Sequence, residues 1–226
     1  MIPEILYEDN HIIAVNKRGS DLVQGDRTGD ETLDQRIRQY LIEKYRKPGE
    51  AFLGVVHRLD RPVSGVVLYA KTSKALSRLS RMFREKEISK TYWAIVSELP
   101  PAEEGVLKHY LRKNEQQNKS YAWEAMVKGA KESSLGYRII GRSQNHYLLE
   151  IDLHTGRHHQ IRCQLAAIGC PVHGDLKYGY RRSNENGGID LHARRIEFTH
   201  PVSGVKVSVV APLPVGLFSK LFSQFG

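Results

Sequence analysis

The chain has 226 residues and carries 34 Lys and Arg against 25 Asp and Glu, which gives a net charge of +9. This length suits a single domain over residues 1–226, and the basic balance predicts a polyanionic partner. Two cysteines are too few for the disulfide framework of a small secreted domain. No apolar run approaches the ~18 residues of a membrane-spanning helix and no signal-peptide pattern opens the chain, so we expect a cytoplasmic protein without a membrane partner.

The positive charge is unevenly distributed along the chain. Residues 1–50 carry 8 basic and 10 acidic side chains, whereas residues 51–226 carry 26 basic and 15 acidic ones. A surplus of one sign raises the local concentration of an oppositely charged partner. The second part of the chain, which also holds the motifs described below, is therefore the predicted polyanion-binding part.

The first 50 residues predict a β-hairpin followed by a helix. Between positions 5 and 17, two short apolar runs flank the turn residues Asp9 and Asn10. Thr32 and Gln35 fit a capping box, which marks a helix start. Apolar residues then recur at every fourth position, at Leu33, Ile37, Leu41 and Tyr45. We expect one face of this helix to lie against a core, and the helix to end at the Pro-Gly pair at 48–49.

The segment from 66 to 86 predicts a buried strand and then an amphipathic helix. The run VVLYA at 66–70 is β-branched and apolar, and a helical pattern follows from about 73 to 86. The predicted apolar stripe consists of Leu76, Leu79 and Phe83. The residues Lys74, Arg78 and Arg81 share the other face and form what we call the basic ridge. The ridge is a candidate phosphate contact, and a solvated helix surface is the equally simple alternative.

The second half predicts mainly strands. Five strand-like runs lie between positions 91 and 153, separated by short polar stretches, and predict an antiparallel, meandering sheet. A helix at 158–168, two strands near 190–199 and 205–210, and a closing amphipathic helix follow. Because strands and helices do not alternate regularly, the predicted class is α+β, with a mixed, largely antiparallel central sheet and flanking helices.

Two segments hold more His, Arg and Asp than core building requires. They are HRLDRPVSG at 57–65 and HTGRHHQIRCQLAAIGCPVHGDLKYG at 154–179. An isolated Asp beside two arginines is usually part of a surface salt bridge, and a Tyr in an apolar strand is usually a core residue. These residues acquire a functional interpretation only when the segments are taken together.

Four motifs in order resemble the RluA-type family of RNA pseudouridine synthases. They are HRLDRPVSGVVLYAKT, SKTYWAIV, TGRHHQIRCQLAAIGCPVHGDLKYG and LHARRIEFTHPVSG, and the likeness extends from about residue 5 to residue 213. The resemblance implies the pseudouridine synthase fold and an enzyme that acts on rRNA or tRNA. We expect the catalytic domain alone, because the chain has no room before Ile5 for the S4-type RNA-binding domain that many relatives carry, and we expect a monomer. It implies isomerisation of a uridine already in RNA: the N-glycosidic bond breaks, the uracil turns over, and a C–C bond forms. No cofactor and no metal are expected.

The resemblance also assigns roles to individual residues. Asp60 is the expected catalytic carboxylate, Tyr92 the aromatic residue over the uracil, and Arg162 the cation paired with Asp60. The family leaves three roles for Asp60: attack on the sugar, attack on the base, or removal of a sugar proton. Arg58 is expected to help displace the target nucleotide, since a base inside a helix is inaccessible. The predicted RNA contacts are completed by His57, Arg61, Arg157 and the basic ridge Lys74, Arg78 and Arg81, with Arg157 placed beside a helix N-terminus that favours anions.

The sequence departs from the family pattern at three places. Arg18 stands where a proline usually follows the lysine, Gln164 stands where a His is common, and His173 replaces an aliphatic residue before the Gly-Asp pair at 174–175. None of the three lies at a predicted catalytic position. We expect any effect of these departures to fall on substrate choice.

Three other functions compete with this interpretation. The residues His159, Cys163, Cys170 and His173 have a spacing that a zinc site could use, although Cys-x6-Cys is not a compact metal knuckle. Ser64 and Ser203 lie outside the G-x-S-x-G motif of a hydrolase nucleophile. A non-catalytic RNA-binding protein on the same fold is the strongest rival.

Overall fold

The computed structural model describes residues 2–25 and 29–225. In chain order the elements are β1 (Glu4–Glu8), β2 (Ile12–Lys17), α1 (Leu33–Tyr45), β3 (Gly54–Val55), β4 (Ser64–Ala70), α2 (Ser73–Arg84), β5 (Ser89–Val96), β6 (Glu104–Asn114), β7 (Lys119–Trp123), β8 (Lys131–Arg142), β9 (Tyr147–Leu153), α3 (Gln160–Ala167), β10 (Leu191–Thr199), β11 (Lys206–Val210) and α4 (Leu217–Phe222). They fall into two compact units, Met1–Ile88 with Ala193–Pro212, and Ser89–His192 with Leu213–Gly226. The single domain expected over residues 1–226 stays a prediction.

The first unit contains strands in the order β1-β2-β4-β10, with β11 beside β10 and β3 beside β4. The predicted hairpin at the start is confirmed, because β1 and β2 pair antiparallel. Its turn is held by Asp9, whose Oδ1 accepts the backbone N–H groups of His11 and Ile12 at 2.7 and 2.9 Å. All seven residues of β4 are buried, as the apolar run predicted.

Helix α1 begins as predicted, but its last apolar residue is not part of the core. The backbone N–H of Thr32 donates to Gln35 Oε1 at 2.9 Å in the predicted capping box. Leu33, Ile37 and Leu41 are buried, as the pattern requires. Tyr45 is 45% exposed, so its place in the core stripe was predicted wrongly. Its hydroxyl donates to Glu8 instead, which takes the ring out of the apolar face.

Helix α2 buries a slightly different stripe from the predicted one. Ala75, Leu79 and Met82 are its buried residues. Leu76 and Phe83 are half-buried and lie beside the same core cluster. The buried stripe is therefore centred one position away from the prediction. Thr72 caps the helix, since its Oγ1 accepts the N–H of Ala75.

The second unit contains an antiparallel sheet in the order β5-β9-β8-β6-β7. The antiparallel pairing was predicted correctly, but the meander was wrong, because β9 returns to pair with β5 and β6 pairs with β8. Strand β7 ends at Trp123. Helix α4 covers one side of the sheet, where Phe218 and Phe222 pack against Trp93 and Ile95.

A carboxylate in the first unit links β1, α1 and the end of β4. Glu8 accepts hydrogen bonds from Tyr40 and Lys44 on one oxygen and from Tyr45 and Lys71 on the other, at 2.7 to 2.9 Å. The Glu8 side chain is only 7% exposed. Burial alone raises the pKa of this carboxyl, but the hydrogen bonds, those from Lys44 and Lys71 first, lower it to about 2 from an ordinary value of 4.5.

We expect Glu8 to make folding sensitive to acid. Because its folded pKa lies below its unfolded pKa, its stabilisation is fully present above pH 4.5 and is lost as the pH falls towards about 2. The loss should amount to ~1–3 kcal/mol of unfolding free energy, because solvent screens the contact with the exposed Lys44. Urea unfolding of wild type and Glu8→Gln measures it: the difference between the two proteins should shrink over this range. A difference that stays constant with pH would contradict the assignment.

Candidate active site

The segment that carries Asp60 is a tight connection between β3 and β4. Leu59 is 8% exposed and anchors the segment, while Asp60 beside it is half-buried. The carbonyl of Asp60 accepts the N–H of Val63 at 3.0 Å, which closes a turn. Strand β4 begins at the next residue, so the carboxylate stands at the entrance to a fully buried strand.

A glycine fixes the backbone immediately after this turn. Gly65 has φ +113°, a conformation that L side chains rarely adopt. A Cβ at this position would lie 2.3 Å from the carbonyl oxygen of Ala193 on β10. Only glycine allows β4 to approach β10 this closely, so the G of HRLDRPVSG is a structural requirement of the Asp60 segment.

A buried lysine also holds this turn in place by hydrogen bonds. Lys17, at the end of β2, is 0% exposed. Its Nζ donates to the carbonyls of Arg18, Arg61 and Val63 at 2.9, 2.8 and 2.6 Å. Burial lowers the pKa of the Lys17 ammonium to about 7, and the negative charges of Asp21 and Asp60 act in the opposite direction. Lys17 therefore holds the turn by hydrogen bonds, and its ammonium form places a positive charge near Asp60.

Replacing Lys17 with Met should loosen the Asp60 turn. Three buried or partly buried carbonyls would lose a shared charged donor, which should lower the free energy of unfolding by ~1–3 kcal/mol. We also expect kcat to fall while the KM for RNA changes little, since the turn carries chemistry rather than phosphate contacts. Lys47→Met, at an exposed lysine, is the matched control. Wild-type turnover in Lys17→Met would remove this residue from the site.

The other polar residues of the segment differ in how firmly they are held. His57 Nε2 accepts the N–H of Leu68 at 2.9 Å, and its ring stacks on Phe83 with centroids 4.8 Å apart. These contacts suit a residue that positions the segment. Arg58 and Arg61 are exposed, and Arg61 pairs with Asp30 at 2.9 Å. Both arginines are accessible to a phosphate, as the prediction requires.

The basic ridge lies on the exposed side of α2. Lys74, Arg78 and Arg81 are all exposed. Arg78 Nη1 donates to the carbonyl of Pro201, and Arg81 Nε lies 3.6 Å from Glu85. Two of the three cations therefore already have protein partners, and an RNA phosphate would have to compete with them or share them.

In the second unit, Tyr92 and Arg162 are both buried. Tyr92 lies on β5 opposite Ile151 and is 8% exposed. Arg162, on α3, is 4% exposed. Its Nε and Nη2 donate to Asp175 Oδ2 and Oδ1 at 2.7 and 2.9 Å. This two-point contact fixes the plane of the guanidinium group, whose centre lies 5.1 Å from the Tyr178 ring.

Two histidines and a tyrosine surround this arginine on one side. His158 and His159 stack with ring centroids 3.8 Å apart, and His159 Nδ1 lies 3.0 Å from the Tyr178 hydroxyl. That hydroxyl accepts the N–H of Ser120 at 2.9 Å, so its proton is available to His159. Burial, with the Arg162 charge second, lowers the pKa of His159 to about 2. The neutral form of His159 is therefore favoured.

The motif that precedes α3 is fixed by side chains within it. Arg157 N donates to Gln160 Oε1 at 2.9 Å, and Thr155 Oγ1 donates to the same oxygen at 2.8 Å. Arg157 is exposed, and its Nε donates to the carbonyl of Glu132 at 3.2 Å. The predicted phosphate contact at Arg157 is therefore sterically open.

The three departures from the family pattern have structural explanations. Gln164 is 0% exposed, and its Nε2 donates to the carbonyl of Leu107 at 3.1 Å. His173 Nδ1 lies 2.7 Å from Asp190 Oδ2. Arg18 is exposed, and its N–H donates to Asp21. Each residue serves the fold locally.

The zinc alternative receives no support from the part of the chain that the structure describes. Within residues 2–25 and 29–225 there is no cluster of three or more His, Cys, Asp or Glu arranged to hold a metal ion. His159 and His173 contact Tyr178 and Asp190, as described, and the Cys163 thiol donates to the carbonyl of Ser120 at 3.3 Å. Over the same residues, no helix has the length and apolar character needed to cross a membrane.

Sequence reasoning missed Lys17 and Asp175 as site residues. Lys17 was recognised only as half of an altered Lys-Pro pair, although a lysine at the end of an apolar strand was a usable signal. Asp175 was recognised only as part of a motif. Asp175 could have been recognised because it is the one carboxylate among the cations of the second polar segment. A buried Arg requires such a partner.

Comparison with known proteins identifies the fold. The structure superposes on human RNA pseudouridylate synthase domain containing 4 with a TM-score of 0.77, 22% identity, and coverage of 94% of this chain and 89% of that one. For human RNA pseudouridylate synthase domain containing 1 the values are 0.75, 23%, 98% and 86%. The α+β class, with a mixed, mostly antiparallel central sheet and flanking helices, is thereby confirmed as the pseudouridine synthase fold.

Sequence relatives give the family. An uncharacterized RNA pseudouridine synthase of Synechocystis is 34% identical over 96% of this chain and 67% of its own length. Ribosomal large subunit pseudouridine synthase C of Vibrio cholerae is 35% identical, with 94% and 66% covered. The tRNA pseudouridine synthase C of Vibrio parahaemolyticus is 30% identical, with 98% and 94% covered. This chain thus spans about two thirds of the first two relatives and nearly all of the third.

The family model matches the whole of the first polar segment, and the second one as far as the end of α3. The sequence model described as RNA pseudouridylate synthase matches residues 11–167, a stretch that includes Asp60, Tyr92 and Arg162. Together with the relatives, this match confirms the family that the four motifs suggested. The chain belongs to the RNA pseudouridine synthases, in the RluA-type branch.

Proposed function

We propose that this protein converts specific uridines in structured rRNA or tRNA to pseudouridine, with Asp60 as the catalytic carboxylate. The observation that carries the proposal is the construction of the Asp60 turn. Buried Lys17 binds the carbonyls of Arg61 and Val63, and Gly65 fixes the strand that follows. A half-buried carboxylate on so constrained a segment is pre-organised for chemistry.

The proposed roles of Tyr92 and Arg162 follow from their chemistry. A tyrosine ring provides a face on which a uracil can stack, and stacking helps to offset the cost of removing the base from a helix. The guanidinium group of Arg162 stays positively charged and is oriented by Asp175. We assign it the task of stabilising the Asp60 carboxylate. Both assignments are proposals about function.

RNA binding is assigned to exposed basic residues. Arg58 is proposed to help displace the target nucleotide, while Arg61, Arg157 and the basic ridge neutralise phosphates. All of these side chains are exposed, and phosphate contacts of this kind give affinity without reading sequence. Discrimination between RNAs would then depend on which uridine can be turned out into the site.

Both rRNA and tRNA are kept as possible substrates, because the names of the relatives include a ribosomal large subunit enzyme and a tRNA enzyme. We include in the same proposal a cytoplasmic location, a single domain and a monomer. The non-catalytic alternative has no feature in its favour, since a carboxylate, a ring and a cation are all retained at the matching positions.

Release of tritium tests the proposal in vitro. Forming the new C–C bond displaces the hydrogen on the uracil carbon that becomes bonded to the sugar. RNA labelled with tritium at that carbon should therefore lose label to water when incubated with the purified protein and no added cofactor. Labelled rRNA and tRNA are compared in parallel. Binding of both RNAs without tritium release would favour the non-catalytic alternative.

A further inference from the structure

The hairpin of β6 and β7 exposes a sheet face that combines aromatic rings with cations. The register places Arg112 opposite Tyr121 and Tyr110 opposite Trp123. The opposite face of the hairpin is occupied, because Leu111 packs there with Cys163, Tyr178 and Ala122. We call the exposed side the hairpin face, and its residues are Lys108, Tyr110 and Arg112 of β6 and Lys119, Tyr121 and Trp123 of β7.

Tyr121 is the exposed ring of the hairpin face, Tyr110 and Trp123 are half-buried, and cations lie over two of the rings. Tyr121 is 39% exposed, and its centroid lies 6.3 Å from that of Trp123. The Arg112 guanidinium lies over the Trp123 ring at 5.1 Å, and Lys119 Nζ lies 5.5 Å from the Tyr121 ring and 5.1 Å from that of Tyr178. Arg112 is held in place because its Nη1 donates to the carbonyl of Lys128 at 3.0 Å.

The charges of the hairpin face indicate which class of partner it can bind. Lys108, Arg112 and Lys119 are basic, whereas the register places one acidic residue, Glu132, opposite Tyr110. Val106, which is 57% exposed on β6, adds apolar surface. Nucleic-acid bases stack on exposed aromatic rings and on guanidinium planes, while neighbouring cations neutralise the phosphates. Sheets that present two aromatic residues on adjacent strands bind unpaired RNA in this way.

We propose that the hairpin face binds an unpaired segment of the substrate RNA, with bases stacked on Tyr121 and Trp123 and phosphates near Lys108, Arg112 and Lys119. The inference rests on the proposed function, because the RNA it binds is the one whose uridine is modified. A duplex fits less well, since paired bases do not offer their faces for stacking. A second copy of the chain joining the β7 edge is the alternative that the experiment must exclude.

Intrinsic fluorescence gives a direct reading of this contact. The chain has two tryptophans, Trp93 and Trp123, and Trp93 is 6% exposed within an apolar cluster. An unstructured RNA of about ten nucleotides, long enough for one binding site of this kind, should quench the emission of Trp123 on stacking. Trp123→Phe should bind the oligonucleotide with wild-type affinity but lose the quenching, because the phenyl ring keeps a stacking surface.

Alanine substitutions measure the contribution of each ring. Trp123→Ala and Tyr121→Ala should each weaken binding of the oligonucleotide by ~5- to 150-fold. The same variants should raise the KM for full-length RNA while kcat at saturating RNA stays within about twofold of wild type. Arg138→Ala is the control on the same sheet, since Arg138 is paired with Glu150 at 2.7 Å, and it should behave as wild type.

The failure of this inference and the failure of the proposed function give different results. Asp60→Asn should retain both the quenching and the affinity while losing turnover, because the contact does not depend on chemistry. Active wild-type enzyme with no quenching and unchanged affinity in both alanine variants would overturn the hairpin contact and leave the function intact. So would a change from dimer to monomer in light scattering of Tyr121→Ala with unchanged RNA binding, which would assign the face to a second copy.

Discussion

Replacing Asp60 with Asn is expected to lower the rate of pseudouridine formation by at least ~10³-fold, equivalent to about 4 kcal/mol of transition-state stabilisation. The substitution keeps the size of the side chain but removes the carboxylate on which each of the three possible roles depends. The backbone carbonyl of Asp60, which closes the turn to Val63, is unchanged. Single-turnover kinetics at saturating RNA measure the effect, and RNA affinity should remain close to wild type.

Asp21→Asn is the matched control for this substitution. Asp21 is a second carboxylate that acts electrostatically on Lys17, and it pairs with Arg36 at 2.7 Å. If the effect of Asp60→Asn came only from lost charge beside Lys17, the two variants would be impaired alike. We expect Asp21→Asn to turn over RNA at nearly the wild-type rate. Residual activity of Asp60→Asn above ~10⁻³ of wild type would mean that Asp60 is not the essential group.

Replacing Arg162 with Lys should have the second largest effect, a fall in kcat of ~10²-fold or more. A lysine keeps the positive charge but cannot reproduce the two-point contact with Asp175 at 2.7 and 2.9 Å. The ammonium group would no longer be held in one plane. Because Arg162 is 4% exposed, the substitution also changes the packing of its neighbours. Circular dichroism and thermal unfolding must therefore show that the variant is folded.

Arg157→Lys is the matched control, because it also exchanges a guanidinium for an ammonium group beside α3 while keeping the charge. Arg157 is exposed and bonds only a backbone carbonyl through its Nε among the contacts described above. We expect its replacement to change RNA affinity modestly and to leave kcat almost unaltered. Full activity of a folded Arg162→Lys protein would remove Arg162 from the site, whatever the result for Arg157.

The elements were predictable where their determinants are local in sequence. The opening hairpin depends on Asp9 and the two N–H groups that follow it, and α1 on a capping box within four residues. The order of the strands in the second unit was not predictable in this way. The pairing of β9 with β5 joins residues some 55 positions apart, such as Val96 and Tyr147 at its near end, and no turn signal specifies such a partner.

The same distinction applies to the site. Asp60, Tyr92 and Arg162 were predicted from motifs, whereas Lys17 and Asp175, which hold the Asp60 turn and Arg162, were not assigned to the site because their partners lie elsewhere along the chain. Lys17 bonds carbonyls 44 and 46 positions away, and Asp175 is 13 positions from Arg162. Helix α3 also lacks the exposed polar face that an amphipathic helix would have. Its residues from Gln160 to Leu165 are all buried, and the polar ones, Gln160, Arg162 and Gln164, each donate hydrogen bonds to partners inside the protein.

Mapping pseudouridine at single-nucleotide resolution tests the central claim most directly. Total RNA from cells lacking this gene would be treated with purified wild-type protein or with Asp60→Asn. The account predicts that wild type restores pseudouridine at one or a few specific positions in rRNA or tRNA, namely those missing from the deletion strain, and that Asp60→Asn restores none. Restoration of the same positions by Asp60→Asn, or an identical map in cells with and without the gene, would contradict it.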